Sequence, residues 1–298
     1  MVVKFRNILI AAVMVCTVTT LLHADLWALQ TDGVLPTMTP QPTPSPTPTI
    51  TEVPPDASRP CFAGAYYRKA VSSIDDWDGI EGEVTLPEIE FDPDRWDTTR
   101  GRYLDNPSVY MGGRAGSQEI DCGLTWSQTR DEQGYISTEG RAFRPFWRND
   151  AWHNAPLDPA LYFHPGDKVR MRCAVTTNGK MELVVTLVSR KATGVPATAP
   201  LPFRAEFDAA SFGPGELQEF KRVNAIDQVG NEGRPVVPTN TVVFDAKWEN
   251  VVLIRNGQRL PFNGQRFTDM RCPTPSKVAV TAVQNDESGE MITIDGSK

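Results

Sequence analysis

Glu119 and Asp121 stand two residues apart, and Ile120, Cys122 and Leu124 interleave with them. That period of two is the pattern of a strand with one apolar face. Both carboxylates then share the polar face, about 7 Å apart. Thr125 and Gly123 lie beside them, and the glycine leaves open space. Paired carboxyls suit general acid and base work when one has a pKa matched to the task. Neighbouring arginines would pull both pKa values down instead. Arg144 and Arg148 share a parity, as do Arg222 and Asn224, and Arg170 and Arg172 alternate with Val169, Met171 and Cys173. Two readings of such a face stand side by side. In one, cross-strand ion pairs cover a solvated surface. In the other, Glu119, Asp121, Arg144, Arg222 and Asn224 contact a ligand in a groove walled by Tyr110, Phe146 or Trp147.

Other chemistries find less support. Once the expected export signal is removed only His153 and His164 remain, too few for a histidine zinc site. No nucleophile-elbow motif accompanies them, and no glycine-rich phosphate loop is present. Asp75, Asp76, Asp78 and Glu81 form an acidic cluster, which reads either as a solvated loop or as oxygen ligands for Ca²⁺. No metal and no cofactor is expected. The net charge of −7, without a basic stripe, argues against a nucleic-acid partner. Six tryptophans from Trp77 to Trp248 serve as core or as platforms for sugar rings.

The elements that must position these residues are strands. Alternating runs fall at 82–87, 109–111, 117–128, 141–148, 168–176 and 181–189. Further runs fall at 203–207, 218–227, 241–247, 251–255, 277–283 and 291–294. Asn178-Gly179 between two of them predicts a hairpin. Many short strands and no helical period predict an all-β fold, a two-sheet sandwich or a barrel, over residues 59–298. Upstream, Lys4 and Arg6 precede a largely apolar run at 8–22, which reads as an export signal over 1–28. The alternative is an uncleaved anchor, which would be the chain's one membrane contact. Residues 29–58 form a linker; in 36–55, eight of twenty residues are Pro and six are Thr, the composition of an extended spacer. A secreted or cell-surface location follows.

Cys61, Cys122, Cys173 and Cys272 remain after export. An even count in an exported chain favours two disulfides, with three pairings open. Cys61–Cys272 would tie the domain's ends together, and Cys122–Cys173 would join two strands. Buried free thiols are the alternative.

Several motifs line up with a family. Gly79-Ile-Glu-Gly-Glu-Val-Thr-Leu-Pro87 resembles the opening Gly-x-Phe/Val-Thr-x-Pro strand of the glutamic peptidases, the eqolisins. Val109-Tyr-Met-Gly-Gly113 and Glu119-Ile-Asp-Cys-Gly-Leu-Thr-Trp126 resemble the family's Trp-Val-Gly-Ile-Asp-Gly and Gln-x-Gly-Val strands. Runs at 142–149, 165–169 and 221–227 follow in the same order, so the likeness covers about 80–255 with gaps. It implies a concanavalin-like (jelly-roll type) double antiparallel sheet with a concave cleft. The family's catalytic pair does not carry over. Asp121 stands at the place of its Gln, and Ile226 at the place of its Glu, with Asp227 one step on at the opposite parity. Glu119-Ile120-Asp121 also resembles the start of the laminarinase-type Glu-Ile-Asp-x-x-Glu motif, but the second Glu is missing. The run 220–228 resembles a group of exported bacterial sandwich proteins, from which no activity follows.

The expected function is binding of an extracellular polysaccharide or peptide on the concave sheet. Tyr110, Glu119, Asp121, Arg144, Trp147, Arg222 and Asn224 are its expected contacts. The alternative is an acid hydrolase with Asp121 and Glu119 as catalytic candidates, and a third reading is a purely structural surface module. A second carboxyl within reach of Asp121 in an open groove would favour chemistry. An arginine closing on Asp121 would favour binding or structure.

Overall fold

The computed structural model describes residues 60–130, 136–191 and 202–298. The expected signal segment and the whole of the expected linker lie outside the described residues. Along the chain run β1 (Ala65–Ser72), β2 (Gly79–Thr85), β3 (Glu88–Glu90), β4 (Trp96–Asp97), β5 (Arg102–Tyr103) and β6 (Asp105–Ala115). Then come β7 (Gln118–Arg130), β8 (Ile136–Arg148), β9 (Trp152–Asn154), β10 (Lys168–Thr177), β11 (Lys180–Ser189) and β12 (Phe203–Asp208). The last six are β13 (Gln218–Gln228), β14 (Val242–Arg255), β15 (Gln258–Pro261), β16 (Arg266–Cys272), β17 (Val278–Ala282) and β18 (Glu290–Asp295). The described residues contain no α-helix.

Seven strands form one sheet in the order β16-β1-β13-β6-β7-β8-β9. The other runs β12-β11-β10-β2-β14-β18-β17, with β15 and β3 also paired to β14. The ladders within both sheets are antiparallel. The expected all-β, two-sheet antiparallel sandwich is therefore the observed class. Between the sheets lie Val109, Met111, Ile120, Cys122 and Leu124 from one side and Ile80, Val84, Met171, Cys173 and Leu253 from the other. Trp77, Trp248, Phe143 and Phe220 fill the same layer.

The Asn178-Gly179 turn joins β10 to β11 as its sequence predicts, with Gly179 at a φ of +74° that a side chain would resist. The runs at 241–247 and 251–255 are one strand rather than two. Polar Glu249 and Asn250, which read as a break, sit in a β-bulge between Glu249 and Val252, with Asn250 at a φ of +54°.

In the seven-stranded sheet, β1 escapes the alternation rule. In β1 the core-facing residues are Tyr66, Arg68, Ala70 and Ser72, a mixed set with a buried guanidinium at its centre. The Cys61–Cys272 disulfide, with a Cα–Cα separation of 5.9 Å, ties the segment before β1 to the end of β16. The second expected bridge is not formed. Cys122 and Cys173 are free, fully buried thiols that face each other from the two sheets, and burial drives the Cys122 pKa well up. An apolar layer shields both from the thiolate chemistry that makes a bridge.

Candidate functional site

The outward face of the seven-stranded sheet carries the candidate site. Its residues fall in cross-strand rows set by the ladder registers. One row reads Val71, Lys221, Gly112, Asp121, Arg148, on β1, β13, β6, β7 and β8 in turn. The next reads Lys69, Val223, Tyr110, Gly123, Phe146. An open groove of about 880 Å³ lies over these rows, within the size range of ligand sites.

Gly112 stands between Lys221 and Asp121 and has no side chain to separate them. Lys221 Nζ therefore reaches Asp121 Oδ1 at 2.7 Å across β6. Arg148 closes from the other side, its Nε donating to Asp121 Oδ2 at 2.8 Å. Lys221 also pairs with Glu119, and Lys69 lies 3.8 Å from the same carboxylate. Burial alone would raise the pKa of Asp121. Lys221 and Arg148 outweigh it, and Asp121 is held below the ordinary aspartate value. Glu119 is lowered in the same way by Lys221 and Lys69. Burial beside Lys221 brings the Lys69 ammonium down to about 8, against the pull of Glu119 and Asp121.

Gly123 plays a second spacing role. A Cβ there would meet Tyr110 Cβ at 2.7 Å. The space expected beside the carboxylates is taken by Tyr110 and Phe146, which meet edge to face with ring centroids 5.7 Å apart. Two further aromatic pairs stack in parallel: Phe62 on Tyr67 at 4.0 Å and Trp152 on Phe146 at 4.3 Å.

Asp227 is the residue that the sequence alignment set aside for its parity. It shares the groove face with Lys221, Val223 and Ala225 and lines the groove. Ser108 Oγ donates to its Oδ2 at 2.6 Å. Burial, with the negative charges of Asp121 and Glu232, pushes its pKa up to about 6 against that hydrogen bond. The missed signal lies in the alternation itself: Asp227 has the parity of Lys221, opposite to that of Arg222 and Asn224.

Of the residues expected to meet a ligand, Tyr110, Glu119, Asp121 and Arg144 line the groove. Arg222, Asn224 and Trp147 do not, because their parity turns them toward the other sheet. Arg222 Nη2 lies 2.9 Å from Glu290, which also takes two hydrogen bonds from Arg68, all of it buried. Asn224 Oδ1 accepts from Trp248 Nε1 at 2.7 Å. Trp147 stacks on His153 and packs toward Phe203 and Phe207 of the opposite sheet. The physical reason is a core that is polar at its centre. The ion pair with Glu290 holds Arg222 there and the bond from Trp248 holds the Asn224 carbonyl, so the apolar Val223 and Ala225 are left facing the groove.

The acidic cluster is absorbed by arginines and backbone. Asp75 and Asp76 pair with Arg255, Glu81 with Arg259, and Asp78 accepts from the Asn256 amide. Among the described residues no three His, Cys, Asp or Glu side chains converge on a metal position.

The sequence matches no family model and no curated protein sequence. Solved structures are similar to it at low identity. Scytalido-glutamic peptidase with a peptide-based transition-state analogue has a TM-score of 0.47 at 8% identity, over 78% of this chain and 98% of that one. The same peptidase with a transition-state analogue inhibitor scores 0.49 at 8%, over 76% and 97%. SCP-B, a member of the Eqolisin family in complex with the tripeptide Ala-Ile-His, scores 0.46 at 9%, over 76% and 97%. The resemblance to the glutamic peptidases is thus a distant one. It concerns the strand architecture alone.

Proposed function

We propose that the groove on the seven-stranded sheet binds an extended extracellular polymer, a polysaccharide or a peptide. One observation carries this reading. An open groove of about 880 Å³ contains a carboxylate, Asp121, that Lys221 and Arg148 already hold ionised and hydrogen-bonded. Such a group orients a ligand through charged hydrogen bonds, whereas a proton-transfer role asks for a pKa near the working pH. The Cys61–Cys272 disulfide fits an oxidising compartment, in keeping with export. The test is direct binding of the full chain to arrays of glycans and unfolded peptides. Loss of binding in Arg148→Ala is the expected outcome, and failure of every glycan and peptide to bind would overturn the reading.

A second reading, acid hydrolysis, draws on Asp227, a groove carboxyl that keeps its proton up to about pH 6. Its test is cleavage of a denatured protein and of soluble glycans from about pH 2 to 7, where carboxyls titrate. Cleavage that survives Asp121→Asn and disappears in Asp227→Asn would establish it. Absence of cleavage throughout would remove it.

A further inference from the structure

We infer that the occupant of the groove is an oligosaccharide, held at its two rims by flat aromatic platforms at Phe62 and Trp152. This rests on the groove being a ligand site, as proposed above. Each platform is an exposed ring lying flat on a buried one. Phe62 is 42% exposed and stacks on Tyr67, with the ring planes 9° apart. Trp152 is 47% exposed and stacks on Phe146, with the planes 6° apart. In both pairs the inner face of the exposed ring is covered by its partner.

Both platforms are anchored. Cys61, immediately before Phe62, is bridged to Cys272, and the Phe62 amide donates to Tyr67 Oη at 2.9 Å. Trp152 lies opposite Arg148 in the β8–β9 ladder, so its side chain has the groove parity. An exposed ring in a fixed orientation loses little entropy on binding, and its face suits the C–H surface of a sugar ring. Both residues line the groove.

Between the rims the floor favours a saccharide over a peptide. The floor is the face of a sheet, and its strands spend their amides and carbonyls on ladder neighbours to either side. A peptide main chain cannot add to that face as a strand adds to an edge. Side chains must supply the contacts, and the Arg148 guanidinium, 41% exposed where it closes on Asp121, is one that a ligand can reach. Sugar hydroxyls both donate and accept, so they can meet it and the Asp121 carboxylate alike.

Geometry also sets a minimum ligand length. Tyr67 lies on β1 and Phe146 on β8, four ladder steps apart, or about 19 Å at the usual strand spacing. A disaccharide reaches one platform, and a longer chain reaches both.

The experiment titrates the full chain with mono- to hexasaccharides of neutral glucan, xylan and chitin types and of uronates, following tryptophan fluorescence and heat. An unfolded peptide pool is the parallel arm. The expected result is affinity that rises steeply with chain length in at least one saccharide series. Trp152→Ala and Phe62→Ala should each weaken the hexasaccharide at least tenfold, with Trp152→Phe retaining part of the affinity. Phe62→Ala or Trp152→Ala, but not both, should leave the disaccharide unaffected. Leu157→Ala, an exposed change at a residue that does not line the groove, is the control. Peptide binding without saccharide binding overturns the saccharide and leaves the groove reading intact. Saccharide binding that neither platform variant alters overturns the platforms. No binding in either arm removes both readings.

Discussion

Two carboxylates each hold two cations, one on either side of the seven-stranded sheet. Glu290 reaches from the opposite sheet to Arg68 and Arg222, and the three side chains are at most 1% exposed. Asp121 takes Lys221 and Arg148 on the outer face, where the arginine is 41% exposed. The stoichiometry is the same and the surroundings differ. In the sealed cluster, an ion that loses its partner has no water to turn to, so the cluster decides which face of β1 and β13 points inward. In the groove cluster, Arg148 stays in contact with solvent, so a ligand can take over part of its hydrogen bonding. The contrast separates a polar group that specifies a fold from one that is available to a partner.

The largest expected effect breaks the sealed cluster. Glu290→Gln leaves two buried guanidinium groups without their counter-charge and should destabilise the protein by about 3–5 kcal/mol, read from denaturant unfolding. A loss no larger than that at an exposed pair would remove the distinction. Breaking the groove cluster should matter less. Asp121→Asn removes charged hydrogen bonds worth about 2 kcal/mol, with Glu119 still there to pair with Lys221. It should also change the acid limb of stability. The folded pKa of Asp121 lies below its unfolded value, so its contribution is complete above about pH 4 and is lost as pH falls through the folded pKa. The variant should show a shallower decline over that range.

Asp227 sharpens the contrast with an effect of opposite sign. Its folded pKa of about 6 lies above its unfolded value, so the folded state holds this proton more tightly. Stability attributable to Asp227 is therefore full below about pH 4 and is lost as pH rises through 6. Asp227→Asn should stabilise the protein at pH 7 by about 1–2 kcal/mol, an amount reduced for partial solvent contact, and should leave stability near pH 4 unchanged. A melting-temperature series across pH 4 to 7 reads this directly. The smallest effect is expected on the outer face of the nine-stranded sheet. Arg204, 63% exposed, pairs with Glu182 there. Arg204→Ala should change stability by less than about 1 kcal/mol, measured by the same unfolding series.

The legible parts of this molecule are those where polarity follows burial. In β7, Ile120, Cys122 and Leu124 face the core, and Glu119 and Asp121 face out, as their alternation predicts. The β10–β11 hairpin follows from its Asn-Gly turn. The reading inverts where polar groups find partners inside. In β13, Arg222 and Asn224 are buried against Glu290 and Trp248, partners 68 and 24 positions away along the chain. No local pattern announces partners at such distances, so the strand's two faces are assigned in reverse and Asp227 is set aside. Trp147 follows the same logic, since His153 and Phe207 define its environment from two separate strands. Cys122 and Cys173 do approach each other from opposite sheets, but they remain thiols.

By itself the sequence determines the strand class, the position of the hairpin turn, the expectation of disulfide pairing among the cysteines, and the outward parity of Glu119 and Asp121. These rest on period-two alternation, turn chemistry and cysteine count, which act locally or by number. Only the tertiary structure decides that Lys221 reaches Asp121 over Gly112, that Phe62 and Trp152 stack on Tyr67 and Phe146 beside the groove, and that the core is ionic at its centre. Each of these is a meeting of residues distant in sequence, made by the order of strands in a sheet. That order follows from the packing of the whole chain and leaves no mark on any single strand.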